Sequence, residues 1–138
     1  MKEWTKVSEI IENLSEFGDY GYLEPLDNPD DWREMLKEKL AHDQVPELIR
    51  RIQAEGFNVP IRLEKRGPRD WYLGNGHHRL SVAILLGMDE ILTTSEFSYA
   101  YDNYLYSKDS VSDSKGARML ADMVDTAIDW ENWPNRTF

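Results

Sequence analysis

Three consecutive residues, His77, His78 and Arg79, carry the chemistry this chain offers most clearly. They follow Gly74-Asn75-Gly76 and precede Leu80 to Leu86, a run apolar on most sides that stops at Gly87. A helix that begins at the histidines would present backbone N–H groups and the positive end of its dipole, a combination that favours an anion. Glycines let phosphate oxygens approach the backbone, a guanidinium binds them in pairs, and an imidazole can orient them. Gly74, Asn75, Gly76, His77, His78 and Arg79 are therefore the candidate phosphate-binding residues. The same residues also fit a plain turn, its histidines capping the helix and Arg79 paired with a carboxylate. A metal site is not expected, because adjacent helical residues point about 100° apart. The third histidine of the chain is distant in sequence, at His42.

The elements around this turn can be read from periodicity. Asn28-Pro29-Asp30-Asp31 is a helix start, with Asn as cap, Pro at the first position and carboxylates meeting the dipole. Trp32, Met35, Leu36 and Leu40 continue it as one apolar stripe, which assigns Trp32 to packing alone. After a break at His42, a second helix opens at Pro46, turns Leu48, Ile49 and Ile52 inward, and ends at Gly56. Pro60 to Lys65 alternates as a half-buried strand does, and Gly67-Pro68-Arg69-Asp70 turns it back through Trp71-Tyr72-Leu73, so residues 61–73 read as a hairpin. Gly87 suits a left-handed helix cap, and Ile91 to Phe97 reads as a further strand.

At the ends, Trp4 to Val7 reads as a short strand, Val7, Ile10, Ile11 and Leu14 have helical spacing, and Phe17 to Leu23 reads as a loop or short strand. Tyr99, Tyr101, Tyr104 and Tyr106 stand close enough to line a ligand or partner surface, although the expectation is that most of these rings pack and one or two are exposed. Ala117, Leu120, Ala121, Val124 and Ile128 mark a last amphipathic helix, capped by Ser112 or Ser114. The aromatic tail, Trp130 to Phe138, is expected to be tied down on its own domain or on a protein partner.

A length of 138 residues predicts one domain, and no run is long and apolar enough for a membrane span. The absence of cysteine excludes disulfides and thiolate ligands and, with no signal-peptide core, points to a cytoplasmic protein. The net charge of −10 is unevenly spread. Residues 1–45 hold 12 acidic and 5 basic side chains, residues 46–97 hold 7 of each, and residues 98–138 hold 7 acidic and 4 basic. Such a chain repels nucleic acid at long range, so DNA binding is expected to be weak or absent.

The stretch Asn75-Gly76-His77-His78-Arg79-Leu80, followed by Leu86-Gly87-Met88-Asp89-Glu90-Ile91, resembles the signature of the ParB/sulfiredoxin superfamily. Members carry Gly-x-x-Arg at a strand-to-helix turn, then an apolar helix, Leu-Gly and another strand. The likeness extends upstream through Pro46 to Gly56 and Val59 to Leu63, and more weakly over Thr5 to Asn13. It implies an α+β fold, a small mixed sheet with packed helices. On this reading residues 46–97 form the core of a single domain, 1–45 an N-terminal extension and 98–138 a C-terminal helical one.

Within that superfamily, sulfiredoxin has Gly-Cys-His-Arg, and its chemistry is excluded here because His77 stands in place of the thiol. The partition protein ParB has Gly-Glu-Arg-Arg and binds CTP with a later motif, of which Asp102 to Tyr106 is a faint echo; its DNA-binding helix-turn-helix module has no counterpart. The free-serine kinases have Asp-Gly-His-Thr-Arg, the pattern most similar to this one, although Asn75 cannot serve as a general base. A base would then come from Glu9, Glu12 or Glu24. The resemblance implies a nucleotide, ATP or CTP with Mg²⁺, held at residues 74–79, and extends to hydrolysis or phosphotransfer with His77 as the candidate catalytic residue. The alternative is a ParB-like module without chemistry that binds DNA or a protein, of the standalone kind found in phage and mobile elements. Nuclease chemistry fits less well, since the motif has no carboxylate cluster for two metals.

Overall fold

The computed structural model describes residues 1–19, 22–26, 28–102 and 111–133, with side chains described outside 17–19, 22–25 and 102. In chain order the elements are β1 (Lys2–Lys6), α1 (Val7–Asn13), β2 (Leu14–Asp19), β3 (Tyr22–Pro25), α2 (Pro29–Leu40) and α3 (Val45–Glu55). They continue with β4 (Ile61–Lys65), β5 (Trp71–Asn75), α4 (His77–Leu85), β6 (Glu90–Thr94), α5 (Tyr99–Asp102) and α6 (Ser114–Ala127), then a 3-10 turn at Trp130–Asn132. The architecture is mixed α+β.

The strands form one six-stranded sheet in the order β1-β6-β4-β5-β2-β3. Its pairings alternate: β1 with β6 antiparallel, β6 with β4 parallel, β4 with β5 antiparallel, β5 with β2 parallel, and β2 with β3 antiparallel. Between residues 45 and 94 the order is helix, hairpin, helix, strand, as the periodicity indicates. The sheet is not confined to that stretch, however. Residues 1–25 contribute three of its strands, including the one beside β5, so the N-terminal segment is built into the sheet and not only appended to it.

Binary patterning explains which face is covered. In β4, Ile61 and Leu63 are buried while Glu64 and Lys65 are exposed. Leu73 on β5 and Ile91 on β6 join them in a core with Leu80, Val82 and Ala83 of α4. Helix α2 packs against both α4 and α6, laying Trp32, Met35, Leu36 and Leu40 into the same core. Trp32 is 1% exposed and touches Trp133 at a ring-centroid distance of 5.9 Å, so packing is its role and part of the aromatic tail is indeed tied down. The rest of that tail, residues 134–138, lies outside the described residues, as do Tyr104 and Tyr106.

Local signals set the helix ends. Asn28 and Asp31 form a reciprocal capping box, the side chain of each accepting from the other's backbone N–H. Helix α4 ends in a Schellman motif: Gly87, at φ +68°, donates to Ile84 and Met88 donates to Ala83. Two expectations shift. The cap of α6 is Asp113, which accepts from the Gly116 N–H at 2.9 Å, in place of Ser112 or Ser114. The last strand ends at Thr94, because the Thr94 hydroxyl accepts the Glu96 N–H and turns the chain before Phe97. Among the described residues, no helix is long and apolar enough to cross a membrane.

Candidate functional site

Strand β5 delivers the chain to the centre of the sheet, and Gly76 must then start a helix at once. It does so with φ +100° and ψ 22°, a left-handed conformation open to glycine, and as N-cap it has no side chain to close over the first turn. Glycine is required here for a second reason. A Cβ at Gly76 would overlap the side chain of Ile61, within 2.6 Å of its Cβ. The contact that brings the turn against β4 thus depends on the missing side chain.

Arg79 fastens the same turn from inside. It is 4% exposed, and its terminal nitrogens donate to four oxygens. Nη1 reaches the carbonyls of Val59 at 3.1 Å and Pro60 at 2.7 Å; Nη2 reaches Asn75 Oδ1 at 3.0 Å and the carbonyl of Tyr101 at 2.8 Å. The planar fork joins the strand entry at 59–60, the turn, and α5. These N–H groups hold protein oxygens, and the role the geometry gives Arg79 is to position the turn. The amide of Asn75 is oriented by the same guanidinium.

The two neighbouring histidines diverge, as adjacent helical positions must. His77 is buried, and its carbonyl accepts the Ser81 hydroxyl at 2.7 Å. His78 turns toward the α2–α3 corner, where its ring meets that of His42 edge to face at 5.0 Å. His42 accepts the Gln44 N–H on Nδ1 at 3.1 Å, so the neutral ring carries its proton on Nε2. Burial holds its pKa below the ordinary value, with Lys39 acting the same way and Asp43 opposing. All three histidines of the chain therefore gather at the start of α4. Periodicity missed His42 as a neighbour of the turn, since it lies in a break between two helices.

Arg62 is the other residue that sequence reasoning left out of the site. Its Nη2 donates to the carbonyl of Gly74 at 3.2 Å, and its guanidinium lies 3.0 Å from where a Gly74 Cβ would be. Gly74 is therefore a flat seat for an arginine. The signal was its place in the alternation of β4, on the face opposite Ile61 and Leu63.

Two of the three carboxylates expected to supply a base, Glu9 and Glu12, stand on α1. Helix α1, which bears Glu9 and Glu12, is tied at one end to Asp89, beyond the C-terminal end of α4, by the Val7 N–H at 2.8 Å. At its other end Asn13 accepts from the Arg69 N–H at 3.0 Å, at the start of β5 and away from Asn75. Neither glutamate is brought to the turn. The side chain of Glu24 lies outside the described residues, as does most of the Asp102 to Tyr106 stretch.

A shallow recess beside Arg79, lined by Ile52, Gly56, Phe57, Asn58 and Val59, has no room for even a water molecule, so a nucleotide would not fit within it. Among the described residues no group of three His, Asp or Glu side chains is placed to hold a metal ion. No family model matches this chain, and neither a curated protein nor a solved structure matches it.

Proposed function

We propose that this chain is a ParB/sulfiredoxin-like nucleotide-binding protein that takes a phosphate group at the first turn of α4. The observation that carries the reading is the left-handed Gly76 opening a helix of nine residues with no side-chain cap over its start. A phosphate there meets the positive end of the helix dipole and the backbone of residues 76–79. His77 and His78 flank it on the helix, and Arg62 stands against Gly74 on the neighbouring strand. Arg79 acts on the ligand through the turn that it holds, and a Mg²⁺ ion would arrive with the phosphates of ATP or CTP. With Glu9 and Glu12 on a helix tied at Asp89 and Arg69, His77 is a titratable group in the turn itself for any proton transfer in hydrolysis or phosphotransfer.

The test is a thermal-shift screen of the chain against ATP, ADP, CTP and GTP with Mg²⁺, followed by calorimetric titration of the best ligand. Replacing Arg62 by Ala should weaken that binding about tenfold, the loss of one charge-assisted hydrogen bond. No stabilisation by any nucleotide would sink the reading.

A further inference from the structure

Phe97 and Tyr99 are 57% and 77% exposed, yet their rings meet edge to face with centroids 5.1 Å apart. Set at 78° to each other, the two rings can offer a flat ligand one open face with the other ring at its edge. The corner that bears them is held from several sides. The Glu96 N–H donates to Thr94 Oγ1 at 3.1 Å, and Arg79 grips the carbonyl of Tyr101 at 2.8 Å. The Arg62 guanidinium lies 5.5 Å from the centre of the Phe97 ring while donating to the Gly74 carbonyl at 3.2 Å. One arginine thus touches both the aromatic corner and the glycine turn, which places the two within the span of a single nucleotide. Lys2 adds a second cation, its Nζ 5.2 Å from the centre of the Tyr101 ring. Flat apolar faces beside cations suit a ligand that is aromatic at one end and anionic at the other.

We infer that Phe97 and Tyr99 are the platform on which the base of the nucleotide stacks, an inference that rests on the phosphate reading above. Stacking on aromatic side chains tolerates any base, because every base has a π face. ATP and CTP should therefore both bind, the purine more tightly for its larger face. The ligand is a mononucleotide and not a strand, since a chain with a net charge of −10 repels a polyanion.

The experiment compares the wild type with a Phe97→Ala, Tyr99→Ala double variant by calorimetry against ATP, CTP and inorganic tripolyphosphate, each with Mg²⁺. Both side chains lie outside the core, and circular dichroism checks that the variant is folded. Nucleotide affinity should fall about tenfold or more in the variant while tripolyphosphate affinity stays the same. A Phe97→Trp variant should bind ATP at least as tightly as the wild type, with indole emission quenched by ATP and not by tripolyphosphate. Unchanged nucleotide affinity in the double variant would leave the phosphate site standing and remove the platform. A parallel loss of tripolyphosphate would show that the rings only shape the turn, and would overturn the inference. If the wild type binds none of the three ligands, the phosphate site and the platform fall together.

Discussion

Gly76 and Ile61 are in such close contact that no Cβ fits between them, and Gly76 is also left-handed at φ +100°. The start of α4 is thereby pressed onto β4, and the turn takes its shape from the strand behind it.

Gly76→Ala should accordingly be a stability mutation before it is a binding mutation. A left-handed non-glycine residue costs about 1–2 kcal/mol, and forcing a methyl group into a packed contact costs about 1–3 kcal/mol. Chemical denaturation should show a loss of about 2–5 kcal/mol. A variant within about 0.5 kcal/mol of the wild type would mean that the backbone there relaxes freely.

Replacing Arg79 should also unfasten the fold. Arg79→Ala leaves the buried carbonyl of Pro60 and the part-buried carbonyls of Val59 and Tyr101 without this donor, and an orphaned acceptor costs about 1–3 kcal/mol, most where it is fully buried. The expected loss is about 3 kcal/mol or more, with faster hydrogen exchange in α5. Arg79→Lys should recover little, because one ammonium cannot span oxygens on three segments. Full stability in Arg79→Lys would show that charge, and not the fork, is what matters.

Acid should loosen α6 from α2 through Asp125. The Lys37 ammonium and then the Arg33 guanidinium, bonded at 2.8 Å each, hold its carboxyl below the usual carboxylate pKa. A depressed folded pKa means that this stabilisation is complete above the unfolded value of about 3.9 and is lost as pH falls through the folded one. Asp125→Asn should lower the melting temperature at neutral pH and flatten its decline in acid. Parallel melting curves for variant and wild type across pH 2–7, a span of roughly the carboxylate range, would refute the coupling.

His42 should titrate below its ordinary value of about 6.5, because burial disfavours the imidazolium and the Gln44 N–H already occupies Nδ1. With the folded pKa lowered, its contribution to stability is complete above the unfolded pKa and is lost as pH falls through the folded one. Histidine proton NMR should show a His42 midpoint below about 6.5. A His42 midpoint above that value would mean that an acidic neighbour outweighs burial.

What the sequence determined by itself is what depends on a few neighbouring residues. The capping box of Asn28 and Asp31, the Schellman stop at Gly87, the alternation of β4 and the apolar α4 are short-range, so their partners stand next to them in the chain. The glycine turn leading into a helix was legible for the same reason, and with it the anion-favouring end of α4. Only the tertiary structure decided what each residue of that turn touches. Residues 14–25 lack a clean period, and their strands exist through pairing with β5 and with each other. Arg79 was chemically open to either a ligand or the protein; the carbonyls of Val59, Pro60 and Tyr101 claimed its fork across about 20 residues on each side. His42 reached His78 across 36 residues, and Arg62 reached Gly74 across 12 and Phe97 across 35. Such contacts are set by how helices and strands stack, and composition and period carry no record of that.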